Sequence, residues 1–336
     1  MTSCTMTEHG FKTIENMPTF SFIIPVKPGG FVAALESLRK IAAPASQFEV
    51  VIAEGCSPSS QRNTAVSEAR GEIIYFLDDD SHVAPDCLAR CAQILADHAV
   101  AVVGGPSLTP SSDSLLQQLI GDALSSLLGA GAVRNRYRAR GVTRTTSDKE
   151  LILCNLAIRR TVFIDSGGFD ERLYPNEENE LLDRIVSRGL KLVHSPEMAV
   201  HRSQRRTLRL FIRQMFAYGR GRAQQTLIAG PGTITGFAPL LFLMYLLLLP
   251  ALPLTRFTLA PLFAYLALVF SSSVSAVVKS GSLSRTLMIS LYPLMHISNG
   301  WGLFCGLFGG KHGKSKACDA AGITIRRIKG FGQSTW

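Results

Sequence analysis

Five apolar residues, Ile73-Ile74-Tyr75-Phe76-Leu77, run straight into three carboxylates, Asp78-Asp79-Asp80. An unbroken apolar run of that length reads as a strand buried on both faces, which demands a covering layer on each side of a sheet. In open α/β sheets ligands gather outside the carboxyl ends of the strands, so the three acids stand where a ligand would. Adjacent carboxylates repel one another and ionise together most readily beside a cation, and oxygen donors suit a hard ion such as Mg²⁺ or Mn²⁺ carrying a phosphorylated substrate. A solvated turn is the alternative, because Asp is a common turn residue.

The surrounding pattern alternates. Phe20 to Val26 reads as a strand, Phe31 to Ile41 as a helix, Phe48 to Ala53 as a strand and Gln61 to Arg70 as a helix, before the central strand from Glu72 to Leu77. Pro85 suits the first turn of a helix reaching Ala96, and Ala99 to Val103 forms a short strand closed by Gly104-Gly105. This order predicts a doubly wound α/β fold with a mostly parallel sheet flanked by helices. Parallel connections bring strand ends to one edge, so Lys27, Glu54 and the aspartate triplet should converge there. Ser112 to Leu128 follows as an amphipathic helix. Beyond it lies a segment with Arg134, Arg136, Arg138, Arg140 and Arg144, read as a loop, either solvated or able to reach a diphosphate or lipid headgroups. Leu151 to Ile158 makes a strand, Gly167-Gly168-Phe169-Asp170 breaks the chain, and Asn176-Glu177-Glu178-Asn179-Glu180 leads into a helix from about Asn179 to Arg188, ended by Gly189. Acids at a helix start also suit the helix dipole alone.

Apolar residues make up 46% of the 336 and crowd into the last third. Phe237 to Leu254 carries no charge and has the length of a bilayer span; Phe257 to Val278 is a second candidate, and Thr286 to Gly310 a third, softened by Pro293, His296 and Asn299. The first nineteen residues lack an apolar centre, so no secretory signal is expected and the N-terminal domain should stay in the cytoplasm. Arg202, Arg205, Arg206, Arg209, Arg213, Arg220 and Arg222 precede the first span, as expected of a cytoplasmic flank. The net charge of +10 then fits anionic lipid; no recognition motif accompanies it that would favour nucleic acid. Three spans would place the basic tail (Lys311, Lys314, Lys316, Arg326, Arg327, Lys329) outside, so either the third stretch does not cross or the tail breaks the rule. The seven cysteines lack the paired spacing of a zinc or redox motif.

In order along the chain, SFIIPVK, RNTAVSEARGEIIYFLDDDSHVAPD, NLAIRR, GGFDERLYPNEENELLDRI and VHSPEMAVHR resemble the inverting family 2 glycosyltransferases, enzymes of the GT-A nucleotide-diphospho-sugar transferase fold. The likeness covers about residues 20 to 222, and the apolar tail is similar to that of bacterial members that build lipid-linked or exported polysaccharides. It implies that Pro25 and Lys27 line the nucleotide pocket and that Glu54 stands where an aspartate usually holds the base. The usual Asp-Asp-Gly-Ser there is Glu54-Gly55-Cys56-Ser57, which leaves the nucleotide open. Asp78 would contact the nucleotide, with Asp79 beside it, and Asp80 the metal. His201 matches a histidine that completes the metal site in relatives; an ordinary surface histidine is the alternative, and an imidazole ligand tilts the ion towards Mn²⁺ over Mg²⁺. Glu178 falls at the position of the general base, with Glu177 as the alternative. Such a base takes the acceptor hydroxyl's proton while the metal offsets the departing nucleoside diphosphate.

The resemblance implies a nucleotide-diphosphate sugar donor and a multi-pass protein of the inner (plasma) membrane with a cytoplasmic catalytic domain. The expected division is an extension (1–19), a GT-A domain (20–205), an interfacial amphipathic segment (206–230) that includes Leu208, Leu210, Phe211, Met215 and Phe216, two or three transmembrane helices (231–310) and a basic tail (311–336). Processive relatives carry Gln-x-x-Arg-Trp before their membrane helices; here the two tryptophans are Trp301 and Trp336, so transfer of a single sugar to a polyprenyl-linked or saccharide acceptor is expected. Two rivals remain. A metal-dependent nucleotidyl- or phosphotransferase also uses paired aspartates but usually adds a Gly-rich phosphate loop, absent here. A catalytically inactive membrane scaffold of the same fold would explain the departures at Glu54 and Glu178.

Overall fold

In the computed structural model, residues 19–230, 234–309 and 322–328 are described. The N-terminal extension up to residue 18 and the tail's Lys311, Lys314, Lys316 and Lys329 lie outside them. The chain starts with β1 (Phe20–Val26), α1 (Leu35–Leu38), β2 (Phe48–Glu54), α2 (Pro58–Glu68) and β3 (Ile73–Leu77). Then come β4 (His82–Val83), α3 (Cys87–Leu95), β5 (Val100–Gly104), β6 (Ser107–Leu108), α4 (Leu115–Ser125) and α5 (Leu127–Ala130). They are followed by β7 (Arg144–Thr146), β8 (Asn155–Arg159), α6 (Arg160–Asp165), α7 (Glu177–Ser187), β9 (Lys191–His194) and β10 (Val200–His201). The last third holds α8 (Leu208–Ala229), α9 (Ala238–Leu248), α10 (Arg256–Ser280) and α11 (Met288–Phe308), and then a final strand, β11 (Thr324–Ile328).

The main sheet has the order β11-β2-β1-β3-β8-β5-β9-β7, and a small second sheet has the order β4-β10-β6. β1 runs parallel to β2 and β3, and β5 parallel to β9. β8 is antiparallel to both β3 and β5, β7 to β9, and β11 to β2. The sheet is therefore mixed rather than mostly parallel. The cause is the segment between β5 and β8, which returns to the edge it left, so that Asn155 begins β8 opposite Leu77, the last residue of β3.

Side-chain alternation places β3 as its sequence demands. Ile73, Tyr75 and Leu77 face a core shared with α3, while Ile74 and Phe76 face one shared with α2 and α7. Phe76 packs on Phe163 and Phe169 at ring-centroid distances of 5.5 and 5.1 Å, and burying each such ring contributes about 1.5–3 kcal/mol. Phe169 thereby ties the Gly-Gly-Phe-Asp break to the underside of the central strand.

A third core joins the apolar helices to the rest. It contains Leu119, Ile120 and Leu124 of α4, Phe211 and Met215 of α8, Val269 of α10, and Met288, Tyr292 and Met295 of α11. Phe211 and Met215 are therefore buried in protein instead of facing a bilayer, whereas Leu208 and Leu210 stay exposed. α8 is a 22-residue helix whose Phe211 and Met215 pack in a core with α4 and α11. Among the described residues one helix, α10, is long and apolar enough to cross a membrane; α9 with its extension to Ala251 is apolar but shorter. Cys56, Cys87, Cys91, Cys154 and Cys305 are all free thiols, and burial pushes Cys87 up to about 12.

Candidate active site

Two acidic blocks distant in sequence meet across one guanidinium. Arg62, on the face of α2 turned to the sheet edge, reaches Asp78 Oδ1 at 3.0 Å with one terminal nitrogen and Glu177 Oε1 at 2.9 Å with the other. Both Arg62 and Glu177 are buried, so the pair is shielded from water and screened little by salt. Glu178, the next residue on α7, faces Arg136 at 3.4 Å. Arg202, just past β10, closes the other side of the triplet, contacting Asp78 Oδ2 at 3.1 Å and Asp80 Oδ1 at 2.6 Å.

Local folding positions these groups. Pro58 opens α2, and Ser59 and Asn63 on its first turns hold the loop that precedes α7: Ser59 donates to the Leu173 carbonyl (2.8 Å), and Asn63 to that of Phe169 (2.9 Å) while accepting from the Phe169 N–H (2.9 Å). Gly168 approaches Asn63 with φ +67°, and a Cβ there would lie 2.8 Å from the amide oxygen, so the close contact needs glycine. Asn176 sits at the cap of α7 with φ +91°, a left-handed conformation uncommon outside glycine and often held at functional sites. That turn aims Glu177, Glu178 and Glu180 into the first turn of α7, where the positive helix end favours them.

The carboxyl edge also gathers the residues expected of the nucleotide pocket. Glu54, at the end of β2, is in register with Val26, and its Oε1 accepts from the Gly29 N–H at 2.9 Å. Pro25 is half-buried in β1 and Lys27 is exposed in the turn beyond. Asp79 lies over this turn region, its carbonyl accepting from the Ala34 N–H at 2.9 Å.

The electrostatics differ along the acids. Burial would raise the Asp78 carboxyl, but Arg202 and Arg62 outweigh it and hold the group below the ordinary carboxylate range. Asp79 is raised, by burial and then by the charges of Asp80 and Asp78. Glu177 is pushed up to about 8, chiefly by burial, with Glu178 adding to the effect and Arg62 opposing it. Its Oε2 has no hydrogen-bond partner.

No three His, Cys, Asp or Glu side chains converge as a metal cluster among the described residues, and His201 is exposed, opposite His82 in the small sheet. Its neighbour Arg202 makes the contact with Asp78 and Asp80 instead. The donor chemistry fits a hard divalent ion: three adjacent carboxylates offer oxygen donors, and a cation would relieve the repulsion among Asp78, Asp79 and Asp80. Arg62, Arg136 and Arg202 meet the acids here, whereas the sequence reading placed Arg136 in a loop, Arg202 in a cytoplasmic flank and gave Arg62 no role. Arg62 stands inside a motif already singled out, which was the available signal. Arg136 corrects the reading of its segment as a solvated loop: Gly131–Tyr137 is a 3-10 turn, and Arg136 is buried, donating to the carbonyls of Asp148 (2.6 Å) and Lys149 (3.0 Å) and to the Asn179 side chain.

This arrangement has relatives. A curated protein, the pre-mycofactocin glycosyltransferase of Mycobacterium tuberculosis, is 25% identical over 197 residues, 58% of this chain; the match spans 38% of that protein's length. Among solved structures, the mannosyltransferase PcManGT of Pyrobaculum calidifontis, in complex with GDP-Man and Mn2+, superposes with a TM-score of 0.52 at 16% identity, covering 88% of each chain. The S. aureus protein TarS (residues 1–349, with UDP-GlcNAc) matches with a TM-score of 0.46 at 14% identity, over 85% of this chain and 91% of that one. The model of glycosyl transferase family group 2 matches residues 73–304, from the strand that carries the aspartates to the last apolar helix. With an acid triplet at the carboxyl edge of a GT-A-like mixed sheet, joined through Arg62 to the acids opening α7, as its candidate site, the chain belongs to glycosyltransferase family group 2.

Proposed function

We propose that this chain transfers a single sugar from a nucleotide-diphosphate sugar to a hydroxyl acceptor at a membrane surface, with inversion at the anomeric carbon. The observation that carries the reading is the Arg62 bridge, which puts the α7 acids beside the triplet at a sheet edge suited to a nucleotide. Pro25, Lys27 and Glu54 would line the base and ribose side, and Asp78 and Asp79 the sugar-nucleotide turn. Glu178 is the base. It removes the acceptor's proton as that oxygen bonds to the anomeric carbon, and the bond to the diphosphate breaks with its electron pair leaving on the phosphate oxygen. Glu177 suits that role less: it is buried and its Oε1 is held by Arg62 at 2.9 Å.

A divalent ion, Mn²⁺ or Mg²⁺, held by Asp80 with His201 as the further ligand, would supply charge to offset the departing diphosphate. Mn2+ and GDP-Man are bound by the archaeal neighbour, and both are carried to this chain only as candidates. The membrane reading draws on α10, of whose apolar window only 11% is buried, with Phe257, Phe263, Phe270 and Val278 more than 60% exposed. Apolar surface of that extent calls for lipid or another partner, and Arg205, Arg206, Arg209 and Arg213 stand ready for anionic headgroups. The acceptor is then a polyprenyl-linked or cell-surface saccharide precursor.

The test is turnover of a panel of nucleotide sugars by the full chain with added Mn²⁺. Glu178→Gln should lower turnover about a hundredfold or more while nucleotide binding persists. Full activity in that variant would remove Glu178 from the chemistry, and no turnover with any donor in the wild type would favour an inactive scaffold.

A further inference from the structure

We propose that the C-terminal strand β11 completes the nucleotide-base pocket, with Arg326 as a specificity-determining residue that favours a keto base, uracil or guanine. The inference rests on the reading of the sheet's carboxyl edge as a nucleotide-sugar site. After four helices the chain returns to this sheet and adds β11 as an edge strand, pairing Thr324 with Glu54 and Ile328 with Val50. Ile323 and Ile325 pack against one core of the sheet and Ile328 against the other. Arg327, opposite Val51 in the ladder and pointing to the other face from Arg326, pairs with Glu49 at 3.0 Å. The docking is thus anchored by apolar contacts and an ion pair away from the site.

From the middle of β11, opposite Ile52, Arg326 reaches along the edge to Glu54 Oε2 at 3.2 Å. Glu54 therefore has both carboxylate oxygens engaged, one by the Gly29 N–H and one by Arg326. A free acid at that position would read N–H groups on a base. Here its charge is matched, and a guanidinium with a half-exposed side chain offers its remaining N–H donors at the same edge. Such donors suit the carbonyl at uracil O4 or guanine O6, and at the same position meet the amino group of cytosine N4 or adenine N6. The arrangement also accounts for the sequence departure at this turn. A glutamate, one methylene longer than aspartate, spans from β2 to both partners.

Binding of UDP, GDP, CDP and ADP to the purified full chain, with Mn²⁺ present and by titration calorimetry, tests the assignment. Wild type should prefer UDP or GDP, and Arg326→Ala should weaken that preferred ligand about tenfold or more while leaving CDP and ADP unchanged, because the lost contact is a charge-assisted hydrogen bond. Arg327→Ala, which loosens the strand away from the pocket, should lower the melting temperature and keep the preference. Should Arg326→Ala not fold, Arg326→Lys retains the charge without the planar fork and should lose the keto preference at a near-normal melting temperature. An equal loss for all four nucleotides, no loss, or a wild type without keto preference would overturn the assignment. A wild type that binds none of the four would instead sink the nucleotide-sugar reading beneath it.

Discussion

Arg62 shows how one side chain can define a catalytic neighbourhood. Its two terminal nitrogens hold acids from two separate parts of the chain, and the two respond in opposite ways: Asp78 is held low, while Glu177, more deeply buried, is raised to about 8. An acid raised by folding favours the folded state fully below its unfolded value, near 4.5, and that contribution is lost as pH climbs through about 8. The stability of the wild type should therefore fall across that window, and Glu177→Gln should flatten the slope. Denaturant melts at half-unit steps from pH 4.5 to 8 would check it, and parallel slopes for the two proteins would count against a buried, proton-holding Glu177. Glu178 is assigned to the chemistry instead, so its role is tested by rate rather than by stability.

Among the elements, α8 and α11 carry the contact that ties the apolar helices to the site. They pack with backbones in close approach: a Cβ added at Gly219 would lie 2.0 Å from the Asn299 carbonyl oxygen, and one at Gly302 would lie 2.0 Å from that of Phe216. Small residues at such crossings allow the van der Waals contact that holds helices together where apolar surroundings give no hydrophobic drive. Further along α8, Gly221 meets the Pro175 carbonyl, so the same helix touches the turn before Glu177. Gly302→Leu should force the helices apart and destabilise the fold by about 1–3 kcal/mol. Thermal melts in detergent should show that drop, with a smaller one for Gly302→Ala; an unchanged melting temperature for the leucine variant would mean the helices do not meet there. In β10, alternation turns His201 outward, and Arg202, one residue on, takes the acids.

For the whole molecule, two contacts govern how the chain can sit in a membrane. β11 pairs with β2, which returns the tail to the catalytic side, and Arg285, between α10 and α11, pairs with Asp122 on α4 at 2.8 Å. α11 (Met288–Phe308) packs along α8, so in the membrane reading the stretch expected as a third span lies against the soluble part and need not carry the tail across. In the membrane reading, α9 leads outward and α10 returns, as a hairpin turning near Leu249–Ala251. A reporter fused after Trp336 should then lie on the same side as one fused at the N-terminus. Opposite labelling of the two by a membrane-impermeant reagent would contradict the pairing of β11.

Much of the fold and both acidic halves of the site are legible in the amino-acid order itself. The alternating apolar runs announce an α/β sheet, and the acids after Leu77 and before the helix at Glu177 mark the two halves, because burial periodicity and turn chemistry are local properties. The direction of β8, the pairing of β11 and the burial of Phe211 and Met215 are decided by the tertiary structure alone, since each depends on where a distant segment returns. The three arginines belong with them for a related reason. A guanidinium on a long, flexible stem leaves no periodic trace, and its partners come within hydrogen-bond reach only once α2, β3, α7 and β10 are packed side by side.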